Sequence, residues 1–164
     1  MNKYTLLLGS NIDPRQHYLM EACMELERNC GIIINKSSIY ESDAWGFDST
    51  RFLNQALVIE TNFAPLDLLS QTQQIELQLG RNRAKESNQN YEARTIDIDL
   101  IFCDNQIIDL PTLTIPHPKI AERRFVLTPL AELMPDFIPP QKNKTIQNML
   151  LSCPDKGNVE IFTT

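Results

Sequence analysis

The sequence lacks several features that would define a protein class at once. It has no apolar run long enough for a membrane span or a signal peptide, because the longest near its start is the three-residue run Leu6–Leu8. Its four cysteines lie 7, 73 and 50 residues apart, which matches neither a zinc motif nor a small disulfide framework. We therefore expect reduced thiols, a cytoplasmic location and no membrane partner.

Positive charge is also scarce. The chain carries 15 Lys and Arg against 21 Asp and Glu, for a net charge of -6, which argues against a nucleic-acid partner. It contains no Walker A, G-x-S-x-G or G-x-G-x-x-G motif. With 164 residues, of which 42% are hydrophobic, the composition indicates a single globular domain over residues 1–164. An anionic ligand must therefore bind a local basic cluster without a P-loop.

Hydrophobic periodicity predicts the order strand, helix, strand, strand, helix, strand. The strands are expected at residues 3–8, 32–40, 52–61 and 96–103, and the helices at residues 14–30 and 65–79. A short helix near residues 145–151 and a last strand near 159–162 follow a proline-rich stretch. This order predicts an α+β fold with a ferredoxin-like antiparallel sheet, helices packed mainly on one face and the other face open for a ligand.

Two carboxylates recur on one strand face. Asp97 and Asp99 alternate with Ile96, Ile98 and Leu100, so both acidic side chains point the same way. Oxygen ligands of this kind suit Mg²⁺, which fills its other positions with water and phosphate oxygens. The alternative is a solvated polar strand face without a ligand.

A cationic cluster precedes this strand. Arg81, Arg83, Lys85 and Arg94 suit phosphate binding, although they could also pair with neighbouring glutamates in a solubilising loop. His117 lies between two prolines and is either a phosphate donor or a structural hydrogen-bonding residue. Cations beside paired carboxylates favour a metal–phosphate site.

An aromatic ring and an amide share the face of another predicted strand. Phe52 could stack on a planar heterocycle, and Asn54 could bind the edge of that ring through its donor and acceptor groups. The alternative is a core phenylalanine with a capping asparagine.

Six short motifs, taken together in order, resemble one known family. They are Leu8-Gly9-Ser10-Asn11, Phe52-Leu53-Asn54, Gln73-x-x-Glu76-x-x-x-Gly80-Arg81-x-Arg83, Arg94-Thr95-Ile96-Asp97-Ile98-Asp99, Ile115-Pro116-His117-Pro118 and Arg123-x-Phe125-Val126-Leu127-x-Pro129-Leu130. The chain is similar over about residues 4–135 to the 6-hydroxymethyl-7,8-dihydropterin pyrophosphokinases of folate biosynthesis. The resemblance implies a ferredoxin-like fold and transfer of pyrophosphate from ATP to the pterin hydroxymethyl group, with release of AMP.

The resemblance also implies a role for individual residues. Two Mg²⁺ ions, with ATP as cosubstrate, would be held by Asp97 and Asp99. The triphosphate would contact Arg83, Arg94, His117 and Arg123, with Arg81 joining as its loop closes. The nucleotide would be flanked by Gln73, Glu76 and Ile98. The pterin would lie between Phe52 and Phe125, with Asn54 on its edge and a loop containing Ser42, Trp45 and Gly46 beside it.

The resemblance further implies a monomer that binds small molecules only. Two other classes stay open from the residues alone. One is an RNA-binding module in which Phe52 and Phe125 stack on bases, which the net charge opposes. The other is a Mg²⁺-dependent kinase or nucleotidyltransferase that acts on a different small alcohol.

Overall fold

The structure is a computed structural model that describes residues 1–44, 50–81 and 94–163. Its strands are β1 Asn2–Ser10, β2 Ile32–Lys36, β3 Tyr40–Ser42, β4 Phe52–Thr61, β5 Asp97–Cys103, β6 Ile108–Leu110, β7 Leu113–Ile115 and β8 Val159–Ile161. Its α-helices are α1 Arg15–Asn29, α2 Pro65–Gln78, α3 Arg124–Leu133 and α4 Ile146–Leu151. Within the described ranges, no helix is both long and apolar enough to cross a membrane.

The main sheet is antiparallel and has the strand order β5-β1-β4-β3-β8, with β2 also paired to β4. β1 is central because it pairs with both β4 and β5. The short strands β6 and β7 form a separate hairpin. The predicted α+β class with an antiparallel ferredoxin-like sheet is confirmed.

Each face of the sheet has its own hydrophobic core. The longer helices α1 and α2 cover one face, against alternate residues of β1 such as Leu6 and Leu8. Helices α3 and α4 cover part of the other face, where Leu7 and Ala56 are buried. Burying a side chain such as Leu127 of α3 contributes about 1.5–3 kcal/mol. The face expected to stay open for a ligand is therefore open only beyond Leu7, toward the end of β1.

The strand expected over residues 32–40 is two strands, β2 and β3, so that prediction was wrong in its extent. Between them, the Ser37 backbone N–H donates to the Ala56 carbonyl at 2.9 Å, and the Ser37 hydroxyl accepts from the Ala56 N–H at 2.9 Å. This side-chain bond takes the place of a regular ladder bond and offsets the chain. β3 consequently meets β4 beside Phe52 and carries Ser42 to the ligand face.

Helix α3 was not predicted, and it lies within the proline-rich stretch of the sequence. Pro129 lies inside the helix, which is nevertheless stabilised by the buried side chains Val126, Leu127 and Leu130. These three residues recur at helical spacing, so packing outweighs the lost backbone hydrogen bond. The first turn of α3 places Phe125 beside the sheet.

Candidate active site

The site is built where three strands end on the partly open face. Gly9 of β1 lies directly between Asn54 of β4 and Asp97 of β5. A β-carbon at Gly9 would lie 3.5 Å from the Asn54 Oδ1 atom and 3.6 Å from the Phe52 ring. With no side chain at Gly9, a gap therefore stays open beside the Phe52 ring and the Asn54 amide.

A first pocket opens over this gap, with about 510 Å³ of space outside protein atoms, including solvent at its mouth. It is lined by Leu7, Gly9, Ser42, Asp43, Phe52, Asn54, Arg94, Asp97, Asp99, Arg123 and Phe125. The Asn54 side-chain N–H donates to the Ser42 hydroxyl at 2.7 Å, and both residues are buried. The half-buried rings of Phe52 and Phe125 line the same space. Two aromatic rings and a fixed amide suit a planar heterocycle.

A second pocket lies between α2, β5 and the β6–β7 hairpin, with about 790 Å³ of space, solvent included. It is lined by Leu69, Gln73, Ile98, Asp99, Leu100, Pro111, Thr112, Leu113, Thr114, His117 and Pro118. Asp99 lines both pockets. Two ligands bound in the two pockets would therefore meet at this carboxylate.

An ion-pair network joins the end of α2 to the start of β5. The Arg81 Nη1 atom lies 2.8 Å from the Glu76 Oε2 atom and 2.7 Å from the Asp97 Oδ1 atom. The Arg94 Nη1 atom lies 3.0 Å from the other Asp97 oxygen. Glu76 is 1% exposed and Arg81 is 5% exposed, so the charges are compensated out of contact with bulk water.

Glu76 and Arg81 line neither of these two pockets. Glu76 Oε2 accepts a hydrogen bond from the Ile98 backbone N–H at 2.8 Å, which fixes β5 next to α2. Arg81 was expected on a loop that closes over phosphate, but it is buried within the network because its guanidinium bridges two carboxylates. In this structure both residues support the strand that carries the aspartates.

Asp99, unlike Asp97, is not paired with an arginine of the described ranges. No described residue donates a hydrogen bond to its carboxylate or forms an ion pair with it. Burial, together with the nearby charges of Asp97 and Glu76, raises the pKa of Asp99 to about 8, although Arg94 and Arg123 act against this shift. A half-buried carboxylate of this kind is stabilised in its charged form by a cation.

The donor set fits a hydrated divalent cation better than a closed protein cage. Over the described ranges, no group of three or more His, Cys, Asp and Glu side chains is arranged to hold a metal ion. Asp97 and Asp99 offer two carboxylates on one face, which suits Mg²⁺ when phosphate oxygens and water supply the remaining ligands. Ligands at Asp97 would compete with Arg81 and Arg94.

His117 lines the second pocket, and Arg123 lines the first. Burial and the positive charges of Arg123 and Lys119 lower the pKa of His117 to about 4, while Asp97 acts in the opposite direction. The imidazole is therefore neutral near pH 7 and can donate one hydrogen bond. The Arg123 guanidinium carbon lies 5.9 Å from the Phe125 ring centroid, which keeps this charge beside the first pocket.

The structure thus brings most of the predicted site residues to two adjoining pockets. Trp45, Gly46 and Arg83 lie outside the described residues. The pocket residues Leu7, Gly9 and Asp43 were not predicted. The alternation of β1 could have indicated the first two, because Leu7 and Gly9 share one face of that strand.

The antiparallel α+β sheet, with two pockets adjoining at Asp99, places the chain in the ferredoxin-like fold class. Comparison with known sequences identifies the family within that class. The chain belongs to the 7,8-dihydro-6-hydroxymethylpterin-pyrophosphokinase (HPPK) family, which residues 5–135 match.

Relatives from two bacteria support this membership. The 2-amino-4-hydroxy-6-hydroxymethyldihydropteridine pyrophosphokinase of Bacillus subtilis is 42% identical over 130 residues, which cover 78% of this chain and 75% of the relative. The protein of the same name from Pseudomonas aeruginosa is 38% identical over 152 residues, covering 92% of this chain and 91% of the relative. The predicted family and the prediction of an enzyme are confirmed.

Solved structures support the fold. This chain resembles the wild-type Plasmodium falciparum HPPK-DHPS structure with pteroate at a TM-score of 0.74 and 18% identity. The similarity covers 92% of this chain but only 42% of that one. At this identity the comparison shows a shared fold alone.

Proposed function

We propose that this chain transfers a diphosphate group from ATP to 6-hydroxymethyl-7,8-dihydropterin in folate biosynthesis, with Mg²⁺, giving the pterin diphosphate and AMP. The observation that carries the proposal is that the two pockets meet at the Asp99 carboxylate. A pterin in the first pocket and a nucleotide in the second would bring a hydroxymethyl group and a phosphate chain together there. Membership of the family supports this choice of substrates.

The pterin half of the proposal rests on shape and hydrogen bonding. Phe52 and Phe125 would stack on the two faces of the bicyclic ring, and Asn54 would bind its polar edge. Because Asn54 is held by Ser42, its amide is fixed before the ligand arrives. Little conformational entropy is then lost on binding.

The nucleotide half rests on the second pocket and the adjoining cations. Gln73 and Ile98 would flank the nucleotide, and the neutral imidazole of His117 would donate to a phosphate oxygen. Arg94 and Arg123 would contact phosphates where the two pockets meet. Arg83 is assigned to the same phosphates from the family motif.

Asp97 and Asp99 would hold two Mg²⁺ ions with the ATP phosphates. When bound, Mg²⁺ neutralises phosphate charge and polarises the attacking hydroxyl group. The side chains of the protein itself would contribute by a change of ion-pair partners. Arg94, now paired with Asp97, would turn toward phosphate, and the buried Arg81–Glu76 pair would keep β5 in place.

The transfer itself is mainly a matter of positioning. The hydroxymethyl oxygen forms a bond to the β-phosphorus while the bond from that phosphorus to the α–β bridging oxygen breaks. AMP leaves with that oxygen, and the hydroxyl proton is lost to solvent. Asp99, which lines both pockets, lies where these groups meet.

The proposal includes a monomeric single domain over residues 1–164 that acts in the cytoplasm without a nucleic-acid or membrane partner. The net charge of -6 supports the exclusion of a polyanionic partner. The two pockets are of a size that suits small molecules.

Incubation with ATP, Mg²⁺ and the hydroxymethyl pterin tests the proposal, with the nucleotide products separated by chromatography. We expect one AMP for each pterin diphosphate. ADP would instead indicate a kinase that transfers one phosphate, and unchanged ATP would favour a binding module. Omission of the pterin is the control, because AMP formed without it would arise from hydrolysis.

A further inference from the structure

Asn11 connects two segments that are far apart in sequence. It follows β1 directly and is 1% exposed. Its backbone N–H donates to the Arg94 carbonyl at 3.2 Å, and its side-chain Oδ1 accepts from the Arg94 N–H at 2.7 Å. Its side-chain Nδ2 donates to the Thr50 carbonyl at 3.1 Å. One buried amide therefore binds the backbone of both segments.

These two segments lead into the two halves of the site. Thr50 comes two residues before Phe52, and Phe52 begins β4, the strand that carries the contacts proposed for the heterocycle. Arg94 comes three residues before Asp97 and also forms an ion pair with it. Asn11 thus links the start of the aromatic half to the start of the acidic half.

The simpler explanation is that Asn11 only shapes the turn after β1. An asparagine with that role bonds to backbone groups within its own turn, usually two residues on. Here the Asn11 bonds recorded among the described residues reach residues 39 and 83 positions away. Their partners are backbone atoms, so the bonds set the positions of whole segments.

We propose that Asn11 is a positioning residue that couples the binding of the pterin to the binding of the nucleotide. The inference rests on the proposed function for the identity of the two ligands. A nucleotide that orders Arg94 and Asp97 would, through Asn11, also order the segment before Phe52. The pterin then loses less conformational entropy when it binds second.

The test measures the dissociation constant of the pterin with and without Mg²⁺ and a non-hydrolysable ATP analogue. In the unchanged protein we expect the analogue to tighten pterin binding about tenfold or more. Asn11→Ala removes the side-chain bonds to Thr50 and Arg94 and should reduce this ratio to about 1, because a ligand shifts only what it is coupled to. Asn11→Asp keeps an acceptor for the Arg94 N–H but loses the donor to Thr50, and should also lose the coupling.

Thr61→Ala is the matched control. Thr61 is 3% exposed at the far end of β4, and its hydroxyl donates to the Cys30 carbonyl and accepts from the Phe63 N–H. Thr61→Ala therefore removes two side-chain hydrogen bonds, a loss similar to that of the Asn11 bonds to Thr50 and Arg94, but neither bond lies near the two pockets of the site. The control should lower the melting temperature and keep the full ligand coupling.

Lost coupling in both Asn11 variants, with coupling retained in Thr61→Ala, supports the inference. Full coupling in Asn11→Ala, with only a lower melting temperature, overturns it. If Asn11→Ala does not fold, Asn11→Asp has the same two outcomes. An unchanged protein that binds neither ligand contradicts the proposed function instead, so the two failures are distinguishable.

Discussion

The two halves of the site differ in how their polar groups are satisfied. In the aromatic half, Asn54 and Ser42 are joined by a neutral hydrogen bond beside two phenyl rings. In the acidic half, Asp97 is held by two arginines, whereas Asp99 has its pKa raised to about 8. The first half already matches a flat neutral ligand. Under the proposed function, the second would bind its ligand only after its internal ion pairs exchange partners.

This difference predicts which substitutions lower turnover, which lower the stability of the fold and which lower the affinity for only one of the two ligands. Buried charges that compensate each other are costly to separate, so the acidic half couples activity to stability. Neutral stacking contacts can be removed with a local loss of affinity.

The largest effect is expected at the shared carboxylate. Asp99→Asn should lower turnover by about a hundredfold to a thousandfold or more, because it would remove a cation-holding charge at the point where we propose that the diphosphate is transferred. Its melting temperature should not fall, since burial disfavours the charged form of Asp99 in the free protein. Rates of AMP formation and thermal unfolding curves measure both. Near-normal turnover at limiting Mg²⁺ would show that this carboxylate does not hold the cation.

Removal of Arg81 should mainly affect folding. Arg81→Met leaves Glu76 buried without its cation and should cost about 3–5 kcal/mol of unfolding free energy. Arg94→Met is the control, because Asp97 keeps its contact with Arg81. Urea unfolding of both variants measures the difference. Equal losses for the two arginines would mean that the buried Arg81–Glu76 pair has no special structural role.

The aromatic half should respond through one ligand only. Phe52→Ala should weaken pterin binding about tenfold to a hundredfold, the equivalent of about 1.5–3 kcal/mol of buried aromatic contact. Affinity for the ATP analogue alone should not change. Phe137→Ala is the control, since that ring packs on Phe102 at 5.0 Å in the core beneath α3 and α4. Calorimetric titration of each ligand alone separates the outcomes, and a matching loss of affinity for the nucleotide in the absence of pterin would contradict a stacking role that is confined to the pterin.

The smallest effect concerns pH. The pKa of His117 is about 4 in the folded protein against an ordinary value of 6.5, so the unfolded chain binds the proton first. This group's contribution to stability is complete above pH 6.5 and declines as the pH falls toward 4. As the pH falls through this window, the melting temperature of the unchanged protein should therefore decline more steeply than the melting temperature of His117→Gln. Parallel curves would show that His117 is not held neutral by its surroundings.

The sequence could predict the parts of the site that depend on strand alternation. Asp97 with Asp99, and Phe52 with Asn54, share faces because residues two apart on a strand point the same way. The Glu76–Arg81–Asp97 network could not be predicted, because it depends on how the end of α2 packs against β5. The helix that carries Phe125 was missed because Pro129 concealed an otherwise helical apolar pattern.

In the proposed reaction, a β,γ-diphosphate passes as one unit from the nucleotide in the second pocket to the ligand in the first. The most direct measurement uses two preparations of ATP, labelled with ³²P at either the β or the γ position, with Mg²⁺ and the hydroxymethyl pterin. Both labels should appear in the pterin product in equal amounts, leaving unlabelled AMP. Transfer of the γ label alone, with the β label retained in ADP, would contradict the claim.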